Sequence, residues 1–224
     1  MIRLEEISKT YQKHGQTVHA LEQVSLRVPK GTFLAITGPS GSGKTTLMNI
    51  LGCLDRPTSG RYLLEGTAVG ALGGAAAADI RNRKIGFVFQ SFNLIGSMSA
   101  LENVELPLLL RGEPRNHRRQ KALEALERVE LKSRAHHRPA ELSGGQQQRV
   151  AIARVLAQAP PLILADEPTG NLDGRTSREI LSILQQLNAG GQTIVMITHD
   201  ESIAAAAPRR MHMAGGRLTD FETG

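Results

Sequence analysis

This chain of 224 residues has no tryptophan, two tyrosines, five phenylalanines and one cysteine. A lone cysteine excludes a disulfide within the chain, and apolar neighbours predict that Cys53 is a small packed residue in a reducing compartment. No apolar run approaches the roughly 20 residues that a membrane-spanning helix needs, and the acidic start of the chain is unlike a secretory signal. We therefore expect one compact soluble protein that stays in the cytoplasm.

Aromatic residues are also scarce, although basic residues are in excess. The 27 Lys and Arg against 21 Asp and Glu give a formal net charge of +6, and aromatic residues are only 3% of the chain. The charge would suit a nucleic-acid binder, but the stacking surfaces of single-strand binders need more aromatic residues. Basic residues cluster mainly in 111–121, which we interpret as a solvated helix face. No nucleic-acid partner is expected, whereas a nucleotide triphosphate fits the charge.

The order of the predicted elements indicates an α/β fold. Alternating apolar residues in the first thirty positions predict a small amino-terminal sheet, and later apolar runs alternate with helices, which is typical of a mainly parallel sheet. Helical periodicity from Ala100 to Leu131, broken by Gly112 and Pro114, predicts an inserted helical subdomain. The Gly- and Ala-rich patch 70–78 is predicted to be a surface connector with a short helix after it. We predict buried strands at 32–37, 85–89, 162–165 and 193–198, and helices at 44–51, from Ser143, and near 177–187.

The strongest motif fits the phosphate-loop pattern G-x-x-x-x-G-K-[ST] and lies between an apolar strand and a helix. Its residues, which we assign to ATP binding together with Thr46, are Gly38, Pro39, Ser40, Gly41, Ser42, Gly43, Lys44 and Thr45. Its glycines let the backbone approach the phosphates, and the N–H groups at the helix start form an anion cradle. We expect Lys44 to bridge the β- and γ-phosphates and Thr45 to ligate Mg²⁺. The alternative is a simple glycine turn at a strand–helix junction.

Two carboxylates follow the buried strand that begins at Leu162. Ligands of open α/β sheets bind at the carboxyl ends of the strands. Asp166 is therefore suited to hold Mg²⁺ through water, and Glu167 to polarise the attacking water as general base. Together with the phosphate loop, this pair is typical of any P-loop ATPase or GTPase.

A third motif, Leu142-Ser143-Gly144-Gly145-Gln146, distinguishes between the families of P-loop ATPases and GTPases. Ser143 at a helix N-cap followed by two glycines makes a second anion-binding helix terminus, which the first phosphate loop does not need. Here the sequence resembles the ATP-binding-cassette family, whose signature is this Leu-Ser-Gly-Gly-Gln. The resemblance covers nearly the whole chain.

The resemblance implies a P-loop NTPase fold of the cassette type. This fold has a RecA-like parallel core sheet, an N-terminal antiparallel β subdomain and an inserted α-helical subdomain. We expect a single ATP-binding domain over residues 1–224. In it, 1–90 and 156–224 form the ATP-binding core, and 91–155 form the helical subdomain that carries the signature.

Further site residues are implied by the same resemblance. Tyr11 resembles the aromatic that stacks on adenine, Gln90 the lid glutamine that contacts Mg²⁺ and the transport subunit, and Asp173 the D-loop aspartate at the nucleotide. His199 resembles the switch histidine that contacts the γ-phosphate. Taken alone, Tyr11 could be a surface or core tyrosine, Gln90 a polar strand end and His199 a satisfied histidine. Gln147 and Gln148 are interpreted as a polar helix face.

The resemblance also implies partners. Two cassettes of the family pack head to tail, so that ATP held by Lys44 and Thr45 of one copy is capped by Ser143 and Gly145 of the other. Hydrolysis then belongs to a homodimer, and an integral-membrane permease supplies the transport path. The expected location is the cytoplasmic face of the inner membrane.

Within the family, four stretches look like the branch of lipoprotein-releasing, macrolide-exporting and cell-division cassettes. They are 52–60, 85–95, 102–107 and 166–173. Because the chain ends at Gly224, a stand-alone subunit is favoured over a fused permease. A cell-division ATPase that gates a cell-wall enzyme without transport stays open as the alternative. A DNA-repair ATPase is disfavoured because Lys44 and Ser143 are only 99 residues apart (143 − 44). Stretches 68–79 and 204–211 depart from the usual pattern and leave the partner or cargo open.

Overall fold

The computed structural model describes residues 1–13 and 15–220. Within these ranges, the strands are β1 (Ile2–Lys13), β2 (Gln16–Val28), β3 (Phe33–Thr37), β4 (Ser59–Leu64), β5 (Thr67–Ala68), β6 (Ile85–Phe89), β7 (Leu162–Asp166), β8 (Thr193–Ile197), β9 (Arg209–Ala214) and β10 (Arg217–Asp220). The α-helices are α1 (Lys44–Leu51), α2 (Gly74–Lys84), α3 (Ala100–Leu110), α4 (Arg115–Arg128), α5 (Gly144–Gln158), α6 (Gly174–Ala189) and α7 (Glu201–Ala204). Across these described residues, no helix is both long and apolar enough to cross a membrane.

The strands form two sheets. An antiparallel sheet has the order β2-β1-β4-β5, and a larger sheet has the order β10-β9-β3-β8-β7-β6. In the larger sheet every pairing is parallel except that of β9 with β10. All five residues of β3 and of β8 are buried, which explains their nearly continuous apolar sequence, since helices cover both faces of a parallel sheet.

The larger sheet separates two hydrophobic cores. Leu34 and Ile36 of β3 belong to a core shared with α1 and the antiparallel sheet. Phe33 and Ala35, which alternate with them, belong to a second core shared with α3, α4, α5 and α6. Neighbouring side chains of a strand point to opposite faces of the sheet. The helix that follows the phosphate loop and the helix that follows the signature therefore pack on opposite faces.

The register of the parallel strands aligns their carboxyl ends. Asp166 at the end of β7 pairs with Phe89 at the end of β6 and with Ile197 at the end of β8. Ile197 in turn pairs with Ile36, next to the end of β3. The residues that follow these strands therefore emerge at one edge of the sheet, where the candidate site lies.

Most predicted elements are confirmed, but the patch 70–78 is not a connector with a helix after it. Helix α2 begins inside this patch, at Gly74, and none of its residues is buried. The run Ala75–Ala78 explains the difference, because alanine has the highest helix propensity and outweighs one glycine at the helix start. The hairpin of β9 and β10 was not predicted from the sequence.

Candidate functional site

The phosphate loop turns on glycines with positive φ, namely Gly38 (147°), Gly41 (76°) and Gly43 (106°). Residues with a side chain rarely adopt this backbone conformation, and a Cβ at two of these positions would also collide with backbone atoms. At Gly38 it would meet the carbonyl oxygen of Met213 in β9, and at Gly43 that of Ala20 in β2. Both glycines are therefore required by the close approach of two strands to the loop.

Two polar groups of the loop fit an anionic ligand. The ammonium Nζ of Lys44 folds over the loop and donates to the carbonyl oxygens of Gly38 and Pro39, at 2.7 and 2.8 Å. The hydroxyl of Ser42 is buried and has no hydrogen-bond partner among the described residues. A buried orphan hydroxyl beside a lysine at a helix N-terminus matches the donors that a phosphate accepts from.

Asp166 and Glu167 lie side by side at the end of β7. Burial, and then the negative charge of Glu167, raise the pKa of Asp166, while the charge of Lys44 opposes this rise. A divalent cation would offset the repulsion between the two carboxylates. No group of three or more His, Cys, Asp or Glu in residues 1–13 and 15–220 could hold a metal by itself. The pair therefore fits Mg²⁺, which protein sites commonly bind through one or two carboxylates and substrate phosphates.

Glu167 is held in an unusual backbone conformation. Its φ is 46°, and its N–H donates to the carbonyl oxygen of Ile197 at 2.9 Å. Its Oε1 lies 2.8 Å from Nδ1 of His199, whose side chain is 72% exposed while that of Glu167 is only 16% exposed. A left-handed conformation of a bulky residue at such a site stores strain that only its surroundings can hold. The imidazole thereby fixes one oxygen of the glutamate at the edge of the sheet.

Gln90, which follows β6, is paired with Asn171. The Gln90 amide donates to Oδ1 of Asn171 at 3.2 Å, and the Asn171 amide donates to the Gln90 carbonyl oxygen at 3.1 Å. A Cβ on Gly170 would lie 2.8 Å from Nε2 of Gln90, so a larger residue at this position would displace the Gln90 amide. No role for Asn171 is predictable from the sequence pattern, because nothing in it indicates that this amide contacts Gln90.

Tyr11 lies beside α1. Its hydroxyl donates to Oδ2 of Asp55 at 2.7 Å and also interacts with the side chain of Thr46, which is half-buried. The Tyr11 ring is 37% exposed. It is therefore close to the phosphate-loop helix and accessible to a ligand, as adenine stacking requires.

The signature forms the N-terminus of α5. Ser143 is the N-cap, and its Oγ accepts from the Gln146 N–H at 3.3 Å while Oε1 of Gln146 accepts from the Ser143 N–H at 3.0 Å. This reciprocal pair is a capping box. A Cβ at Gly145 would lie 2.7 Å from Cγ2 of Thr176, so the signature packs closely on the start of α6. The backbone N–H of Gly144 belongs to the first turn of the same helix.

The interpretation of Gln148 as part of a polar helix face was wrong. Gln148 is fully buried, and its amide donates to the carbonyl oxygen of Pro168 at 2.5 Å. Gln147 is half-buried and donates to the Leu142 carbonyl oxygen at 3.1 Å. The contact with Pro168 fastens the signature helix to the segment that follows Glu167.

Asp173 is the N-cap of α6. Its Oδ1 accepts from the backbone N–H groups of Arg175 and Thr176, both at 3.0 Å, and its Oδ2 accepts from the Thr176 hydroxyl at 2.6 Å. These hydrogen bonds lower the pKa of Asp173. Capping by Asp173 also moves the start of α6 to Gly174, three residues before the predicted Ser177 (177 − 174).

The structure thus brings one group of predicted residues together and leaves another group apart. Lys44, Gln90, Asp166, Glu167 and His199 meet at the carboxyl edge of the parallel sheet. The signature begins a helix on the opposite face of that sheet. In the described part of the chain, no hydrogen bond or ion pair joins residues 143–146 to residues 38–46.

Comparison with known proteins gives consistent matches. Residues 21–170 match the family described as ABC transporter. The uncharacterized ABC transporter ATP-binding protein YvrO of Bacillus subtilis is 51% identical over 224 residues, covering 100% of this chain and 98% of that protein. The macrolide export ATP-binding/permease protein MacB 1/2 of Paracoccus denitrificans is 48% identical over 225 residues, covering 100% of this chain but 34% of that protein.

A solved structure is also similar over its full length. It is the dimeric post-hydrolysis state of the ATP-binding cassette MJ0796 bound to ADP and Pi, with a TM-score of 0.91, 44% identity and 100% of both chains covered. MJ0796 of Methanocaldococcus jannaschii is 48% identical in sequence over 226 residues, covering 97% of this chain and 95% of that protein. These matches, at this coverage, establish the fold predicted from the motifs.

Proposed function

Because the chain belongs to the ABC transporter family as an ATP-binding cassette, we propose that it binds and hydrolyses ATP to drive an integral-membrane permease. The observation that carries this proposal is the meeting of Lys44, Asp166, Glu167 and His199 at one sheet edge. Binding and hydrolysis of a triphosphate need these groups in one place. The relative crystallised with ADP and Pi supports the same reaction.

The phosphates are proposed to lie in the phosphate loop. Lys44 turns its ammonium from the carbonyl oxygens of Gly38 and Pro39 to the β- and γ-phosphates, and the Ser42 hydroxyl gains an acceptor. Thr45, Asp166 and Gln90 are the residues that would hold Mg²⁺. When bound, this ion would neutralise negative charge on the phosphates.

Proton transfer is assigned to Glu167. Its Oε1 is engaged by Nδ1 of His199, so Oε2 is the oxygen proposed to accept the proton of the attacking water. The hydrogen bond fixes the direction in which Oε2 points. The exposed side of the His199 ring is proposed to contact the γ-phosphate.

The second half of the ATP site is proposed to come from another copy of the chain. The N-terminus of α5 is capped by its own Ser143 and Gln146, yet it does not contact the phosphate loop of the same copy. The N-terminus of a glycine-rich helix favours an anion. A head-to-tail dimer would place it on the γ-phosphate of the partner, and dimeric structures of MJ0796 support this arrangement.

The permease is proposed to dock in an apolar groove of about 430 Å³ between α2, β6, α3 and α5. Leu110, at the end of α3, is 72% exposed at this groove. Arg154 lines it too and donates to the carbonyl oxygens of Phe92 and Asn93, just beyond Gln90. A docked permease segment would therefore reach the loop that follows β6. The fusion of cassette and permease in MacB relatives supports such a partner.

We propose that ATP turnover is coupled to mechanical motion of the permease, as in lipoprotein release or macrolide export. This places the chain on the cytoplasmic face of the membrane that holds its permease. ATP hydrolysis by the purified chain, measured with and without Mg²⁺, tests the core of the proposal. Phosphate release that needs Mg²⁺ and rises more steeply than linearly with protein concentration is expected, whereas no hydrolysis at any concentration would contradict it.

A further inference from the structure

The Tyr11 ring contacts an ion pair formed by Lys9 and Asp55. Nζ of Lys9 lies 4.8 Å from the ring centroid, the geometry of a cation–π contact. The same Nζ donates to Oδ1 of Asp55 at 2.7 Å and to the carbonyl oxygen of Arg56 at 2.7 Å. Only 12% of the Lys9 side chain is exposed, so its ammonium is withdrawn from solvent beneath the ring.

Asp55 contacts both Lys9 and Tyr11. Its Oδ2 accepts the Tyr11 hydroxyl at 2.7 Å while its Oδ1 accepts from Lys9. Burial alone would raise the pKa of Asp55, but the hydrogen bonds from Lys9 and Tyr11 lower it, so the carboxylate stays ionised. Burial and the hydrogen bond to Asp55 raise the pKa of Tyr11, which keeps its hydroxyl a donor.

Asp55 is itself fixed to the helix of the phosphate loop. The N–H groups of Leu54 and Asp55 donate to the carbonyl oxygen of Asn49, in the last turn of α1, at 2.8 and 3.2 Å. Helix α1 begins at the phosphate cradle and ends at Leu51, and the hydrogen bonds to Asn49 tie Asp55 to its last turn. The eight residues of α1 therefore connect the cradle with the residue that holds Tyr11.

We propose that Lys9 and Asp55 are positioning residues that fix the Tyr11 ring as the platform for the adenine base of ATP. This inference rests on the proposed ATP site, in which Tyr11 stacks on adenine. Lys9 covers one face of the ring and Asp55 fixes its hydroxyl, so the ring loses little further freedom when a base stacks on it. Preorganisation of this kind increases affinity, because the ring is already ordered in the free protein and loses little conformational entropy on binding.

The test compares two probes on the full chain, ATP and inorganic tripolyphosphate, in calorimetric titrations with Mg²⁺ present. Tripolyphosphate occupies the phosphate cradle but has no base. The variants are Lys9→Met, which keeps the apolar stem, and Asp55→Asn, which keeps the shape, each alone and combined with Tyr11→Ala. Lys30→Met, at an exposed position, and Asp79→Asn, on the surface of α2, are controls that change the charge by the same amount.

We expect Tyr11→Ala to weaken ATP about tenfold, within the range for loss of one stacked base. Lys9→Met and Asp55→Asn should each weaken ATP about three- to tenfold and leave tripolyphosphate unchanged. In the Tyr11→Ala background neither substitution should weaken ATP further, because both act only through the ring. Lys9→Arg, which restores the cation, should recover most of the affinity.

Three results separate the possible failures. Equal weakening of ATP and tripolyphosphate, or an undiminished effect in the Tyr11→Ala background, would overturn positioning while leaving Tyr11 as the platform. An unchanged ATP affinity in Tyr11→Ala would remove the platform and the positioning role together. Failure of the unsubstituted chain to bind either probe would instead contradict the proposed ATP site.

Discussion

The imidazole of His199 and the carboxylate of Glu167 lie 2.8 Å apart, at the ends of neighbouring parallel strands. The more exposed residue of the pair, His199, thereby orients the less exposed Glu167. Since β7 and β8 are in register, Glu167 and His199, 32 positions apart in the chain (199 − 167), follow strand ends that lie side by side. This contact connects the candidate general base to the surface on which a γ-phosphate would lie.

Glu167→Gln keeps the size and the contact with His199 but removes the proton acceptor. We expect ATP binding to be retained and turnover to fall about 10²- to 10⁴-fold, the range for loss of a general base. Steady-state phosphate release and equilibrium ATP binding measure the two effects separately. Turnover at the unsubstituted rate would rule out Glu167 as the base.

Two capping boxes of the chain offer a matched comparison. Ser143 caps α5 through Gln146, and Ser99 caps α3 through Glu102 with the same reciprocal hydrogen bonds. Replacing either serine by alanine should lower the free energy of unfolding by about 1 kcal/mol. Only Ser143→Ala should also weaken the ATP-dependent dimer, because only that helix end is proposed to contact the partner copy. Urea unfolding and sedimentation in the Glu167→Gln background separate the two effects, and equal dimerisation by both variants would contradict the role of the signature.

Gln148 and its neighbour Gln147 provide a stability test. The fully buried Gln148 donates to the Pro168 carbonyl oxygen, and its Oε1 has no partner among the described residues. Gln148→Ala leaves that carbonyl oxygen unpaired and should lower the free energy of unfolding by about 2 kcal/mol. Gln147→Ala should cost less, because Gln147 is only half-buried. The opposite ranking in urea unfolding would show that the Pro168 contact contributes little.

Cys53 gives a pH-dependent prediction. Burial raises the pKa of its thiol to about 11, and the positive charge of Arg81 only partly opposes the rise. Alkylation needs the thiolate, so at pH 8 Cys53 should react with iodoacetamide about 100-fold more slowly than an exposed cysteine. The rate should rise about tenfold with each pH unit up to the pKa, since the thiolate fraction does so. Full reactivity at pH 8 in the folded chain would contradict a buried thiol, and unfolding in urea provides the positive control.

Local patterns predicted the phosphate loop, the acidic pair and the Ser143 cap, because short spacings specify short structures. Tyr11, Gln90, Asp173 and His199 were predicted from the family resemblance instead. The phosphate loop, the acidic pair after β7 and the Ser143 cap each depend on residues within about eight positions, and the predicted helix 44–51 agrees with α1 residue for residue. The alternation of strands and helices was predictable for the same reason, since β3 and β8 are continuous apolar runs.

Contacts between distant segments were not predictable in this way. Gln148 was assigned to the surface because its neighbours are glutamines, yet its partner Pro168 is 20 positions away (168 − 148). The packing of β9 on Gly38 and the hydrogen bonds between Gln90 and Asn171 depend on segments that only the tertiary structure brings together. Secondary-structure propensity and hydrophobic periodicity describe single helices and strands, whereas the order of strands in the sheet decides which elements come into contact.

One copy is proposed to supply the phosphate loop of each ATP site and another copy the signature. Mixing two inactive variants tests this arrangement. Lys44→Ala removes the loop lysine, and Gly144→Asp puts a carboxylate at the signature, where a Cβ would have ordinary contacts at 3.6 Å from Phe92 and 3.9 Å from Leu172. A mixed dimer then has one site in which both halves are unsubstituted.

The measurement is ATP hydrolysis by each variant alone and by their equal mixture. Each variant alone should be inactive, and the mixture should recover about a quarter of the unsubstituted rate, because half of the randomly formed dimers carry one of the two sites intact. A mixture no more active than its components, although sedimentation shows that mixed dimers form, would contradict a site shared between two copies.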